Sequence, residues 1–314
     1  MKWVTYIEGG SGRGGAVQGS PVQGGAAQGG AERVGAVVDD WIVDLSPVLA
    51  GLPGGVAGGT IGLLAAGAPA LKAAQSHVES ARRAGWPGTR PRWRDVQLLA
   101  PVPRPGKVMG TGLNYADHAA ELGAKPYEKP LFFAKVGTAV VGPGATVVRP
   151  QGIAKLDYEV ELAVVIGRRA KGVRREEALA HVGGYTILDD VSAREFQFDV
   201  VPPQTTMAKS MDGFCPMGPW LVTADELPDP SHLTLRCWVN GELRQSGSTR
   251  NLIFDVPCLI EALARTMTLE PGDVIATGTP AGVGAFRKPP LWLRPGDRVR
   301  MEIPEIGVLE HGIG

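Results

Sequence analysis

The segment from Leu156 to Gly167 places acidic residues inside an apolar strand pattern, in the order Leu-Asp-Tyr-Glu-Val-Glu-Leu-Ala-Val-Val-Ile-Gly. Side chains two residues apart on a β-strand share one face, so Asp157, Glu159 and Glu161 are predicted to project together. Carboxylates crowded beside a buried surface repel one another, and they either bind a cation or shift toward the neutral form. The segment therefore predicts a strand that carries a candidate metal site.

A second predicted strand supplies a candidate third ligand. It runs from Gly183 to Leu188 and ends in Asp189 and Asp190. Two carboxylates on one strand and one at the end of its neighbour make an all-oxygen site, which suits Mg²⁺, Mn²⁺ or Ca²⁺ better than zinc. A solvated acidic strand edge would give the same pattern, so the spacing alone leaves both interpretations open.

The composition narrows the class of partner. The chain has 314 residues, enough for one large or two modest domains with a buried core. Its 32 basic and 32 acidic residues cancel, and no run of like charge stands out. We therefore predict that neither nucleic acid nor a membrane surface is a partner.

The redox state and location of the protein are predicted from local composition. The three cysteines, Cys215, Cys237 and Cys258, are widely spaced in apolar surroundings and are predicted to be reduced thiols. The N-terminus lacks the apolar core of a secretory signal, which predicts a cytoplasmic enzyme. The uncharged segment 45–71 contains seven glycines and three prolines, which argues against a membrane span.

The order of predicted elements indicates a β-rich α+β protein. Residues 1–103 are predicted to form a small N-terminal α/β domain, which contains short strands and a flexible Gly/Gln-rich loop over 9–32. A proline cluster marks the boundary, and residues 104–314 form the second predicted domain. That domain alternates strands with turns, and a helix is predicted over 115–122 and another over 256–267.

Several separated motifs in the second domain resemble one known family. They are Gly112-Leu-Asn-Tyr-Ala-Asp-His-Ala-Ala-Glu121, Asp157-Tyr-Glu-Val-Glu-Leu162, Asp189-Asp-Val-Ser-Ala-Arg-Glu-Phe-Gln197, Ala208-Lys-Ser210, Cys215-Pro-Met-Gly-Pro219 and Thr277-Gly-Thr-Pro-Ala-Gly-Val-Gly284. Together they are similar to the fumarylacetoacetate hydrolase superfamily over residues 104–312. The first hundred or so residues fit the variable N-terminal domain of its bacterial members, from which the Gly/Gln-rich loop departs.

The resemblance implies a fold and a metal site. The expected fold is a mixed β-sandwich-like roll, usually a homodimer, around one Mg²⁺ or Mn²⁺ for which Ca²⁺ could substitute. The residues that match the family's metal ligands are Glu159, Glu161 and Asp190. Asp157 is then expected outside the ligand set, and Asp189 is expected to point away from Asp190.

The resemblance also implies the catalytic residues. His118 and Glu121 stand three residues apart, a spacing that by itself more often indicates a surface ion pair. In lid-type members of the family the matching pair lies over the substrate, where the histidine activates water or moves a proton. Lys209 matches a lysine that supports developing negative charge, although a surface lysine at a strand end is the alternative.

Three further residues match substrate-binding positions of the family. Arg194 and Gln197 resemble residues that bind the far end of the substrate. Thr279 matches a hydroxyl that contacts the substrate carboxylate, and its alternative is a simple Gly-Pro turn residue. His181 and His311 have no motif context and are interpreted as packing or surface residues.

These residues together predict an enzyme that acts on a 2-oxo acid. Our main hypothesis is metal-dependent hydrolysis of a C–C bond in a β-diketo acid, of the acylpyruvate, fumarylpyruvate or fumarylacetoacetate type, through an enolate that the metal stabilises. The alternative is an isomerase or decarboxylase of the 2-hydroxyhepta-2,4-dienedioate or oxaloacetate type. A non-enzymatic alternative is a metal-binding dimeric scaffold.

Overall fold

A computed structural model describes residues 1–8, 30–86 and 90–314 of the chain. The predicted Gly/Gln-rich loop therefore falls mainly outside the described residues. The helices are α1 (Ser46–Ala50), α2 (Gly59–Arg83), α3 (Ala116–Glu121), α4 (Arg194–Phe198), α5 (Thr205–Ala208) and α6 (Val256–Thr266). Short 3₁₀ helices lie at Gly55–Gly58, Trp93–Asp95, Gly137–Ala139, Arg175–His181, Thr249–Asn251 and Gly284–Phe286.

Strands make up most of the regular structure. In the first half of the chain they are β1 (Lys2–Ile7), β2 (Glu32–Val38), β3 (Trp41–Asp44), β4 (Gln97–Leu98), β5 (Val108–Gly112), β6 (Leu131–Lys135), β7 (Val140–Val141), β8 (Thr146–Val147) and β9 (Leu156–Asp157). The others are β10 (Val160–Ile166), β11 (Val182–Asp189), β12 (Ser192–Ala193), β13 (Cys215–Thr223), β14 (Thr234–Val239), β15 (Glu242–Ser248), β16 (Val274–Ala276), β17 (Arg298–Ile303) and β18 (Gly307–Ile313). The predicted β-rich α+β class is confirmed.

The strands form one large mixed sheet and two smaller ones. The large sheet has the order β3-β2-β1-β13-β11-β10-β16-β5-β6, with β4 also on β1 and β7 also on β13. A five-stranded sheet has the order β15-β14-β17-β18-β8, and β9 pairs with β12. Because Lys2 of β1 pairs with Val222 of β13, strands from both sides of residue 103 share a sheet. The division into two domains at that residue stays a prediction.

Strand β10 lies at the centre of the large sheet and is buried along its whole length. It is antiparallel to β11 on one side and to β16 on the other. Its even-numbered side chains, Val160 to Ile166, join one apolar cluster, whereas Ala163 and Val165 join a second. The period-two alternation therefore packs against a core on each face of the sheet, as is typical of a central strand.

The continuous strand expected from Leu156 to Gly167 is wrong, because Tyr158 and Glu159 separate β9 from β10. At this break two backbone N–H groups donate to side chains instead of to the backbone of a neighbouring strand. The Glu159 N–H donates to Asp189 Oδ1 at 2.8 Å, and the Val160 N–H donates to Gln245 Oε1 at 3.0 Å. Buried backbone N–H groups need such partners, so two polar side chains stabilise the interruption.

Only one helical segment of the described chain, Gly55–Arg83, is long and apolar enough to span a membrane by length and composition. Within it Gly67 adopts a left-handed φ of 63°, which breaks α2 into two parts. Leu63 and Leu64 pack into the apolar cluster that also contains Ala163 of β10. Length and composition alone are weak support for a span, and the absence of a membrane partner stays a prediction.

Candidate metal and active site

Three carboxylates meet at the end of β10. Glu159 precedes the strand, Glu161 lies in it, and Asp190 follows β11, whose last residue pairs with Val160. All three are buried, and one oxygen of each lies within 4.8 Å of the others. The Asp190 N–H also donates to the Glu159 carbonyl at 3.0 Å, which fixes the two strand ends together. The structure thus brings together the three residues that the family resemblance implies as metal ligands.

Two buried lysines contact this carboxylate cluster. Lys209, which follows α5, donates to Glu159 Oε2 at 2.9 Å, Asp190 Oδ2 at 2.6 Å and Ser192 Oγ at 2.8 Å. Lys135 donates to Asp190 Oδ1 at 2.5 Å and to the carbonyl of Lys209. An ammonium has three N–H groups, so these contacts use all the donors of Lys209.

Sequence reasoning missed Lys135 although a signal was present. The residue ends the apolar strand β6, and it shares a face with Phe133 because the two are separated by two positions. Both are buried in the structure. A lysine on the apolar face of a strand rarely stays unpaired, so this position called for an acidic partner.

Arg194 connects the cluster to Asp157 and Gln197. Its Nε donates to Asp157 Oδ2 at 2.9 Å, its Nη2 to Glu159 Oε1 at 2.6 Å and its Nη1 to Gln197 Oε1 at 2.8 Å. Asp157 also accepts the N–H groups of Gly284 at 2.7 Å and Ala285 at 3.0 Å. Asp157 therefore lies outside the three-carboxylate cluster, and substrate binding by Arg194 and Gln197 stays a prediction.

The charges of the described residues around the cluster do not balance. Three buried cations, Lys135, Arg194 and Lys209, face five buried carboxylates, Asp157, Glu159, Glu161, Asp189 and Asp190. When all five carboxyl groups are ionised, these eight side chains carry a formal excess of two negative charges, which equals the charge of one divalent cation. The all-oxygen donor set fits Mg²⁺, Mn²⁺ or Ca²⁺, so the residues present suit the predicted cofactor.

The pKa shifts divide the cluster into two kinds of carboxyl group. Burial, followed by the nearby charges of Asp190 and Glu159, raises the pKa of Glu161 well above its ordinary value. Burial also opposes ionisation of Glu159, but Lys209 and Arg194 outweigh it and lower the pKa of Glu159. Ionised Glu161 is therefore repelled by Asp190 and Glu159, and a bound cation would relieve that repulsion.

His118 and Glu121 form a contact on α3. His118 Nδ1 lies 3.0 Å from Glu121 Oε2, and the His118 side chain is 8% exposed. The other oxygen, Glu121 Oε1, accepts the Gly282 N–H at 3.0 Å, and the imidazole packs beside Phe286 at 5.8 Å between ring centroids. The imidazole is thus buried and the Glu121 side chain is partly exposed, and the contact is oriented from two sides. With Nδ1 donating to the carboxylate, Nε2 is the nitrogen that can accept a proton.

Thr279 lies in the loop that follows β16. Its hydroxyl donates to the Val160 carbonyl at 2.9 Å and accepts from Gln245 Nε2 at 2.7 Å. The preceding Gly278 N–H donates to Glu161 Oε2 at 2.7 Å. This loop therefore fixes the Glu161 carboxylate and the backbone beside it. Contact of Thr279 with a substrate stays a prediction. Gln245 had no recognisable sequence signal.

Asp189 contacts His311, whereas the neighbouring Asp190 contacts Lys135 and Lys209. His311 Nε2 lies 2.7 Å from Asp189 Oδ2, and both side chains are fully buried. His311 was interpreted as a packing or surface residue, and its contact with Asp189 had no sequence signal. His181 Nδ1 instead lies 3.0 Å from the Arg169 carbonyl. Cys215, Cys237 and Cys258 are free, as predicted.

Comparison with known proteins identifies relatives of several activities. The chain is 47% identical over 215 residues to the mitochondrial oxaloacetate tautomerase FAHD2B of Bos taurus, covering 68% of each protein. It is 46% identical over 224 residues to the oxaloacetate tautomerase YisK of Bacillus subtilis, covering 70% of this chain and 74% of that protein. A maleylpyruvate hydrolase from Sphingobium, solved with manganese and pyruvate, matches the structure with a TM-score of 0.75 and 31% identity. The match covers 100% of this chain and 98% of that chain.

The family model for the fumarylacetoacetate hydrolase C-terminal domain matches residues 107–313. That range includes every residue of the carboxylate cluster, the lysines that contact it, and the His118–Glu121 pair. Relatives in this enzyme family include both hydrolases and tautomerases. The match spans more than half of the chain, so the protein belongs to the fumarylacetoacetate hydrolase family.

Proposed function

We propose that this protein is a divalent-metal-dependent keto–enol tautomerase of a small 2-oxo diacid of the oxaloacetate type. The observation that carries the proposal is the buried cluster of three carboxylates, together with a buried histidine whose Nδ1 contacts Glu121. The two tautomerases are 47% and 46% identical to the chain over 215 and 224 residues, whereas the hydrolase is 31% identical over the whole chain. This favours the alternative hypothesis over C–C bond hydrolysis.

The proposed cofactor is Mg²⁺ or Mn²⁺, with Ca²⁺ as a substitute. Glu159, Glu161 and Asp190 would hold the ion, which supplies Lewis acidity toward the oxygens of a 2-oxo acid. Lys135 and Lys209 donate to the two oxygens of Asp190 and so fix the orientation of this carboxylate. Because the N–H groups of Lys209 are already donated, we assign it an electrostatic role rather than direct donation to substrate.

His118 is the proposed proton carrier. Tautomerisation moves one proton between the C2 oxygen and C3 and leaves every C–C bond intact, so water is not a reactant. The Nε2 of His118 accepts this proton from one position and returns it to the other. Glu121 stabilises the imidazolium that forms in between and keeps the ring oriented through Nδ1. Arg194, Gln197 and Thr279 remain the proposed contacts for the rest of the substrate.

Assembly and location are also proposals. We propose a homodimer, on the family resemblance, and a location in the cytoplasm. One relative is mitochondrial by its name and another is bacterial. Sedimentation of the purified protein would test the dimer.

A panel of substrates tests the proposed activity. The metal-loaded protein is incubated with enol-oxaloacetate, an acylpyruvate and a hydroxymuconate, and the enol absorbance, carbon dioxide and released carboxylic acid are followed. We expect loss of the enol absorbance above the uncatalysed rate, and we expect a chelator to stop it. Faster cleavage of the acylpyruvate would establish the hydrolase instead. Metal binding without any turnover would establish the scaffold.

A substitution of His118 tests its role within that activity. His118→Ala should lower the tautomerase rate by about 10²–10⁴-fold, the usual contribution of a general acid–base, while bound metal is unchanged. His181→Ala is the matched control, because that side chain bonds to a backbone carbonyl outside the site. Full activity of the His118 variant would remove this residue from the mechanism.

A further inference from the structure

The Asp189–His311 pair is a buried polar contact that the proposed proton transfer does not use. Asp189 ends β11 in the large sheet, whereas His311 lies in β18 of the five-stranded sheet. Both side chains have 0% exposure, and His311 Nδ1 has no hydrogen-bond partner among the described residues. A buried polar pair with an unsatisfied nitrogen costs stability relative to apolar packing. Such a cost calls for a compensating role.

The other oxygen of Asp189 reaches the backbone of a proposed metal ligand. Asp189 Oδ1 accepts the Glu159 N–H at 2.8 Å, at the break where no neighbouring strand bonds to that group. The Glu159 carbonyl accepts the Asp190 N–H at 3.0 Å. Both polar groups of the Glu159 backbone are therefore held by two adjacent residues, Asp189 and Asp190.

His311 fixes the orientation of the Asp189 carboxylate. A carboxylate with one donor on each oxygen has a single favourable rotation, whereas one that loses a donor can turn away from the other. The His311 N–H on Oδ2 therefore keeps Oδ1 directed at the Glu159 N–H. Because His311 belongs to the second sheet, the contact joins that sheet to the end of β10.

We infer that Asp189 and His311 are positioning residues that set the affinity of the carboxylate cluster for a divalent cation through the backbone of Glu159. The inference rests on the proposed metal site and is independent of which 2-oxo acid the enzyme converts. Partners that orient metal ligands typically contribute about 10–100-fold to metal affinity.

Two substitutions of His311 separate the hydrogen bond from the volume of the side chain. In His311→Gln the amide nitrogen can occupy the position of Nε2 and still donate to Asp189. In His311→Asn the shorter amide can reach only the position of Nδ1. We expect the Asn variant to bind Mn²⁺ about 10–100-fold more weakly than the natural protein, and we expect the Gln variant to recover most of the affinity.

Asp273→Asn provides the control for a general loss of stability. Asp273 is also a buried carboxylate that accepts a backbone N–H, from Glu270 at 2.7 Å, and contacts a cation, Lys107, at 2.6 Å. It lies beyond the opposite end of β10, where its carbonyl accepts the Ile166 N–H. We expect this variant to lower the unfolding temperature without changing the Mn²⁺ dissociation constant.

Mn²⁺ binding is measured on the full chain by calorimetry and by the electron paramagnetic resonance of the free ion, with thermal unfolding of each metal-stripped variant recorded alongside. Equal affinity in the Asn variant and the natural protein would overturn the inference, and so would equally weak binding by the Asn and Gln variants. If His311→Asn does not fold, the test compares His311→Gln with Asp189→Asn. The inference requires the Asp189 variant to bind Mn²⁺ more weakly than His311→Gln, and equal affinities would overturn it. A natural protein that binds Mn²⁺ but has no tautomerase activity would refute the proposed function alone.

Discussion

The two ends of β10 differ in how the same strand is held. From Leu162 to Ile166 every residue is buried, and the strand bonds to β11 and β16 through backbone pairing. At the other end the N–H groups of Glu159 and Val160 bond instead to the side chains of Asp189 and Gln245. The apolar end contains no ionisable group, whereas the charged end adjoins five buried carboxylates.

The apolar end of β10 should therefore affect stability alone, whereas the charged end should affect metal binding as well as stability. At the apolar end the backbone hydrogen bonds with β11 and β16 form together. A substitution there therefore weakens the sheet as a whole and lowers the free energy of unfolding. At the charged end each contact is a separate side-chain bond that can be removed alone. Substitutions there should change metal binding and pH dependence, which gives a direct way to test the contrast.

Glu161→Gln should have the largest effect, because it removes one of three proposed ligands. We expect loss of stoichiometric Mn²⁺ binding, measured by calorimetry, while the metal-stripped protein stays folded. The glutamine keeps an oxygen that can accept the Gly278 N–H. Retention of one tightly bound Mn²⁺ per chain would show that Glu161 is not a ligand.

The same variant should change the pH dependence of stability without metal. Burial, then Asp190 and Glu159, raise the pKa of Glu161, so the folded protein retains this proton to a higher pH than the unfolded chain. Its contribution to stability is fully present below the unfolded pKa of about 4.5 and is lost as the pH rises through the folded pKa. Urea unfolding in chelator should therefore show Glu161→Gln becoming more stable than the natural protein as the pH increases. A constant difference across that range would contradict the assignment.

Lys135→Met should have the next largest effect, on stability. It leaves Asp190 buried with one cation fewer, and breaking a buried ion pair in this way costs about 3–5 kcal/mol. Lys155→Met is the matched control, because its pair with Asp199 is 38% and 44% exposed and should contribute at most about 1 kcal/mol. Urea unfolding at neutral pH measures both. Equal losses in the two variants would mean that burial of Lys135 does not govern its contribution.

The sequence predicted the strands better than the contacts at their ends. Hydrophobic periodicity is a local property, so the sequence predicts the strand over Val160 to Ile166 and the helices α3 and α6. The break at Tyr158 and Glu159 was not predicted, because it depends on Asp189 and Gln245, which are distant along the chain. Family motifs indicated the carboxylates and Lys209, whereas Lys135 and His311 lie in strands whose partners only the tertiary structure supplies.

Ile166→Val should have the smallest effect and defines the apolar end of the comparison. Ile166 is fully buried at the end of β10, and removing one methylene from such a site costs about 0.5–1.5 kcal/mol. Valine keeps the β-branched shape that suits a strand, so the backbone pairing with Val182 should persist. Urea unfolding should therefore show a lower midpoint with an unchanged slope, while the Mn²⁺ affinity equals that of the natural protein. A weaker Mn²⁺ affinity in this variant would show that packing at the apolar end reaches the carboxylates, and the two ends of β10 would then act as one unit.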